Sequence, residues 1–85
     1  MRMLDLRKHN NRYYFRLANG EDFWDTVRLL KNTFRPKERN YDPDTKEWSV
    51  PATPVNEAKL AMIFSNAPIS FVYLKAQLTM FQEVT

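Results

Sequence analysis

Over the first seventeen residues, apolar and polar side chains alternate in two short runs. In Met3-Leu4-Asp5-Leu6-Arg7, Leu4 and Leu6 take one side and Met3, Asp5 and Arg7 the other. In Arg12-Tyr13-Tyr14-Phe15-Arg16-Leu17, Tyr13, Phe15 and Leu17 share one face and Arg12, Tyr14 and Arg16 the opposite one. Lys8-His9-Asn10-Asn11 lies between them, and asparagines tolerate left-handed turn torsions. The pattern predicts an N-terminal hairpin. Its second strand shows two arginines around a tyrosine on the face away from the core.

At Asn19-Gly20 the period changes. Phe23, Val27, Leu30 and Phe34 recur at helical spacing on one stripe, with Glu21, Asp22 and Asp25 near the positive end of the helix dipole. These four are expected in the core, each contributing ~1.5–3 kcal/mol on burial. Trp24 lies on the flank of the stripe and is expected as a partly buried rim residue, with ligand stacking as the alternative. Pro36 stops the helix. Tyr41-Asp42-Pro43-Asp44-Thr45-Lys46-Glu47-Trp48-Ser49-Val50-Pro51 then reads as a second hairpin: Pro43 presets the turn, and the aspartates can bond back to nearby amides.

Thr53-Pro54 has the form of a helix start, and residues 54–66 are expected to be helical. Leu60, Ile63, Phe64 and Ala67 share a face. Val55 and Met62 fall opposite, where loops or a partner must cover Met62; loops are the simpler expectation. After Asn66-Ala67-Pro68, alternation of Val72, Leu74, Ala76, Leu78 and Met80 with Phe71, Tyr73, Lys75, Gln77 and Thr79 predicts a last strand. The competing reading is a helix, since Phe71, Leu74, Leu78 and Phe81 also fit a helical stripe. The expectation is one α+β domain over residues 1–85, of order ββαββαβ, with a mainly antiparallel sheet and two helices on one face.

Composition narrows the chemistry. Eighty-five residues are enough for one core. Without cysteine there is neither a disulfide frame nor a thiolate metal site, and a single histidine removes His-pair zinc sites. No apolar run spans a membrane and no signal peptide is visible, so the expected location is the cytoplasm. The net charge of +3 is unevenly spread. Residues 1–39 hold ten basic against five acidic side chains, or +5; residues 40–85 hold three against five, or −2. Such asymmetry suits a polyanionic partner, nucleic acid first.

The densest basic run is Arg35-Pro36-Lys37-Glu38-Arg39. Cations after a helix complement its dipole, which accounts for Arg35 but leaves Lys37 and Arg39 for phosphate contacts. With Arg12, Tyr14 and Arg16 on the sheet, Lys46 in the second hairpin, and Tyr73 and Lys75 on the last strand, they form the expected nucleic-acid-binding set. Tyr14, Tyr73 and Phe71 are candidates for stacking on unpaired bases, or for cross-strand pairing alone.

The matching order of strand, helix, basic loop, hairpin and helix, with Tyr41, Asp42, Pro43, Thr45, Lys46, Trp48 and Pro51 in the hairpin and Phe34 to Arg39 ahead of it, resembles the HARP domain. That domain accompanies the motor of Swi/Snf-type annealing helicases and related bacterial and phage helicases. The resemblance covers roughly residues 12–66 and implies a DNA-binding accessory module that recognises strand junctions or duplex without reading sequence. It also implies a helicase or similar protein as partner. The chain itself lacks the phosphate loop of a motor. A solitary copy is expected in a phage, plasmid or bacterial setting, or as a domain of a longer chain.

Three function classes follow. The first is a non-catalytic nucleic-acid-binding module, DNA ahead of RNA, using no cofactor. The second is a small interaction module or inhibitor subunit docking through exposed aromatics and a sheet edge, with a homodimer by edge pairing of the last strand as its simplest form. The third, placed below both, is an enzyme holding Mg²⁺ on Asp42, Asp44 and Glu47. Turn formation already accounts for both aspartates, and His9 has no acid or base partner in its Asn-rich turn, so no catalytic residue and no metal ligand is assigned.

Overall fold

In a computed structural model, which describes residues 2–72, Asn10 and Asn11 both take the left-handed backbone, with φ of 50° and 62°. They fold strand β1 (Met3–His9) back onto β2 (Arg12–Leu17). Helix α1 (Phe23–Thr33) follows, then a hairpin of β3 (Asn40–Asp42) and β4 (Glu47–Pro51), then helix α2 (Pro54–Ile63). The fold is α+β. The four strands among the described residues are all antiparallel, in the order β1-β2-β4-β3.

Strand β2 is central, and its alternation sorts the molecule into an inside and an outside. Tyr13, Phe15 and Leu17 are buried, and Phe15 meets the α2-end residue Phe64 edge-on at 5.5 Å between centroids. Val27 and Leu30 from α1, Phe34 just past its end, and Leu60 and Ile63 from α2 join the same cluster, together with Trp48 and Val50 from β4. Both helices therefore cover one sheet face. The helical stripe read from the sequence is the stripe that is buried, with Phe23 partly so.

The second hairpin turns as its residues dictate. The Asp42 carboxylate accepts from the Asp44 amide at 2.9 Å, and the Lys46 amide donates to the Asp42 carbonyl at 2.7 Å. Lys46 closes the turn in the left-handed region, φ 61°. At α2, the Thr53 side chain accepts from the Asn56 amide, with Pro54 in the first turn, as expected of that pair.

Four expectations need correction. Leu4 and Leu6 do not share a side: the β1–β2 register slips between Leu4 and Arg7, where Asp5 adopts φ 54°. This bulge sends Met3 inward and leaves Leu4 exposed, while Leu6 packs on the core. Helix α2 stops at Ile63, not at 66, because Phe64 is extended and plugs the core. Met62 is 66% exposed, so no loop among the described residues covers it. The expected last strand is helical where it is described: residues 69–72 form a turn after Pro68, whose carbonyl accepts from the amides of Phe71 and Val72. Proline favours a first helical turn, and it outweighs the alternation there. The remainder of that expected strand lies outside the described residues.

Asn66 fastens the start of β1. Its side-chain oxygen accepts from the Met3 amide at 3.0 Å and its nitrogen donates to the Met3 carbonyl at 2.8 Å. Asn66→Ala removes both bonds and is expected to cost about 1–3 kcal/mol in urea unfolding; an unchanged midpoint would contradict the clamp.

Tyr13 supplies a pH signature. Its hydroxyl donates to Glu57 and its ring lies edge-on to Phe71 at 5.0 Å. Burial, then the Glu57 carboxylate, pushes its pKa up to about 12 from 10.0. The unfolded chain releases this proton first. Stability from the buried phenol is therefore present below pH 10 and lost as pH rises towards 12. The stability gap between wild type and Tyr13→Phe should narrow over that range, as measured by denaturation at stepped pH.

Candidate nucleic-acid interface

Pro36 cannot continue α1, and Phe34 leaves it in an extended conformation, so the last carbonyls of the helix need outside donors. Arg39 provides them: one guanidinium nitrogen donates to the Lys31 carbonyl at 3.1 Å and to the Phe34 carbonyl at 2.7 Å. The capping expected of Arg35 thus belongs to Arg39. Residues 35–39 form a turn in which the Arg35 carbonyl accepts from the amides of Glu38 and Arg39. That leaves the side chains of Arg35 and Lys37 exposed to solvent.

Arg12 joins the sheet to this turn. It reaches across β4, donating to the Ser49 hydroxyl and carbonyl and, at 2.9 Å, to the Glu38 carbonyl. All these acceptors are uncharged, so Arg12 keeps its full positive charge beside the loop. Lys59 of α2 is close too, its ammonium 5.6 Å from the centre of the Phe34 ring. Arg12, Arg35, Lys37, Arg39 and Lys59 therefore gather around the C-terminal end of α1. Among the described residues, none of the five makes an ion pair. Glu38, the carboxylate within this loop, turns to the Arg35 amide.

The outer sheet face is different. Arg7 and Glu47 form a two-point ion pair that crosses over β2, with the Arg7 guanidinium 4.9 Å above the Tyr14 ring. His9 lies against the same ring at 6.4 Å between centroids. Arg16 is paired with Asp5, the residue the bulge turns outward. Tyr14 is thus a cross-strand platform for Arg7. The charges on this face are largely matched.

The expected set is therefore divided. Arg12, Arg35, Lys37 and Arg39 come together; Tyr14 and Arg16 lie on the outer face, already engaged; Lys46 is exposed in the second hairpin turn. Tyr73 and Lys75 lie outside the described residues. Trp24, expected at a partly buried rim, is 73% exposed and touches Phe23 edge-on at 5.2 Å. Lys59 was not anticipated: no local pattern links it to residues 35–39, and only the packing of α2 beside Phe34 does so. Among the described residues no group of three His, Asp or Glu side chains is placed to hold a metal, and Glu47 points to Arg7 instead. No described helix is long and apolar enough to cross a membrane. Comparisons with protein-family models, curated proteins and solved structures returned no match.

The Arg7 hydrogen bond holds the Glu47 carboxyl below its ordinary pKa of 4.5. Its stabilising effect is complete above that value and is lost as pH falls through the depressed one. Glu47→Gln should be less stable than wild type at pH 7, with the gap closing as the solution is acidified. A gap that stays constant down to pH 2 would contradict the pairing.

Proposed function

We propose that this domain binds nucleic acid, DNA ahead of RNA, without catalysis and largely without reading sequence. The cluster at the end of α1 is the binding surface. The observation that carries this reading is the Arg12–Glu38 bond, which draws a sheet arginine onto a loop already holding Arg35, Lys37 and Arg39. Five cations that make no ion pair among the described residues suit phosphate oxygens, and phosphate contacts position a protein without specifying bases. Arg39 and Arg12 are held rigid by their hydrogen bonds, while Arg35 and Lys37 are free to adapt. The resemblance of residues 12–66 to the HARP domain, read from the sequence, would give such a role a helicase as companion.

A second reading has its own observation. Trp24 at 73% exposure and Met62 at 66% are the kind of side chains protein interfaces bury. In that case the domain docks a protein through these residues, and its affinity for DNA is weak.

The two separate by salt dependence. With four phosphate contacts to duplex DNA, log affinity should fall against log salt with a slope of about −3.6. The double change Arg35→Ala, Lys37→Ala should bring that slope up by about 2, with the melting temperature unchanged. Fluorescence anisotropy with a short duplex measures both. A slope near zero, or one that ignores the loop variant, rejects the nucleic-acid reading.

A further inference from the structure

Away from the basic cluster, the start of α1, the far end of β2 and the second hairpin enclose a cleft of about 330 Å³. That volume lies at the small end of the range for small-molecule sites. Its apolar lining residues include Phe23, Tyr41 and Trp48, and its polar ones are Arg16, Asn19 and Lys46. Among the described residues no carboxylate lines it. Trp48 is 8% exposed and fixed, whereas Tyr41, tilted against it at 4.8 Å, is 43% exposed and still has ring surface to offer. The turn that puts Lys46 in the left-handed region also brings that residue into the cleft wall. Asp5 engages two nitrogens of Arg16, leaving its remaining N–H groups for another acceptor.

This lining suits a ligand with a flat, weakly polar body and an anionic end. We propose that the cleft seats one unpaired nucleotide, its base against Tyr41 and its phosphate between Lys46 and Arg16. The inference rests on the nucleic-acid reading and adds a preference to it. Chain geometry connects the two sites: Tyr41 lies two residues after Arg39, on the order of 7 Å along an extended strand. A strand whose backbone lies on the loop can therefore turn its next base into the cleft. Stacking of a base on an aromatic ring tolerates any sequence, in keeping with binding that does not read one.

Thymidine 5′-monophosphate tests the cleft without the polymer. Titrated into ¹⁵N-labelled protein, it should shift the resonances of Asn19, Tyr41, Lys46 and the Trp48 indole. Lys46→Asn should weaken that binding about tenfold. Asparagine accepts the left-handed backbone, so this variant keeps the turn and its melting temperature. In anisotropy, wild type should favour a duplex with one unpaired thymidine over a perfect duplex of equal length by at least about fivefold. Tyr41→Ala and Lys46→Asn should each abolish that preference and leave perfect-duplex affinity intact. Equal affinity of wild type for both duplexes, or monophosphate shifts that miss these residues, overturns the inference while the loop-dependent salt slope stands. Loss of the slope with the monophosphate shifts intact sinks the wider function instead, and with it the cleft as a seat for a polymer's nucleotide.

Discussion

The structure depends on the six residues of β2, which lie between β1 and β4 and so are fixed from both sides. A central strand cannot slip by one residue without turning every side chain to the other face. Phe15, fully buried and locked edge-on to Phe64, makes that slip prohibitively costly. Tyr13 and Leu17 are thereby committed to the core, and Arg12, Tyr14 and Arg16 to the outside. The side of the sheet that Arg12 and Arg16 take follows from that division.

Given that frame, the fate of each arginine is decided by what lies within its reach. Arg16 meets Asp5 and Arg7 meets Glu47, so the outer face becomes a lattice of matched charges with Tyr14 as its base. Arg12, at the other end of the same strand, finds only hydroxyl and carbonyl oxygens. Hydrogen bonds to such groups orient a guanidinium but leave its field uncancelled. Arg39 is in the same condition, spending its donors on the end of α1. Net charge of the whole chain says little about this. The local choice of acceptor says most of it.

Much of the architecture was legible in the sequence because it depends on local chemistry. The Asn10-Asn11 turn, the Phe23–Phe34 stripe, the Asp42-Pro43 hairpin and the Thr53-Pro54 cap each have their cause within a few residues. Features that depend on tertiary reach were not legible. The bulge at Asp5 is a register effect against β2, invisible in a run that simply alternates. The exchange of capping from Arg35 to Arg39 depends on how tightly residues 35–39 turn. Lys59 joins the cluster, and Phe23, Tyr41 and Lys46 share a cleft, only because separate elements pack together. At Ser70 the alternation was real but weaker than the helical start that Pro68 provides.

The central claim is that unpaired cations around the end of α1, and not the aromatic outer sheet, meet the phosphate backbone. Mapping amide chemical shifts during titration with a short duplex at low ionic strength tests it most directly. The account predicts that the largest changes fall on Arg12, residues 35–39 and Lys59, with Arg7, Tyr14 and Glu47 nearly still. Changes centred on Trp24 and Met62, or none at all, would contradict it.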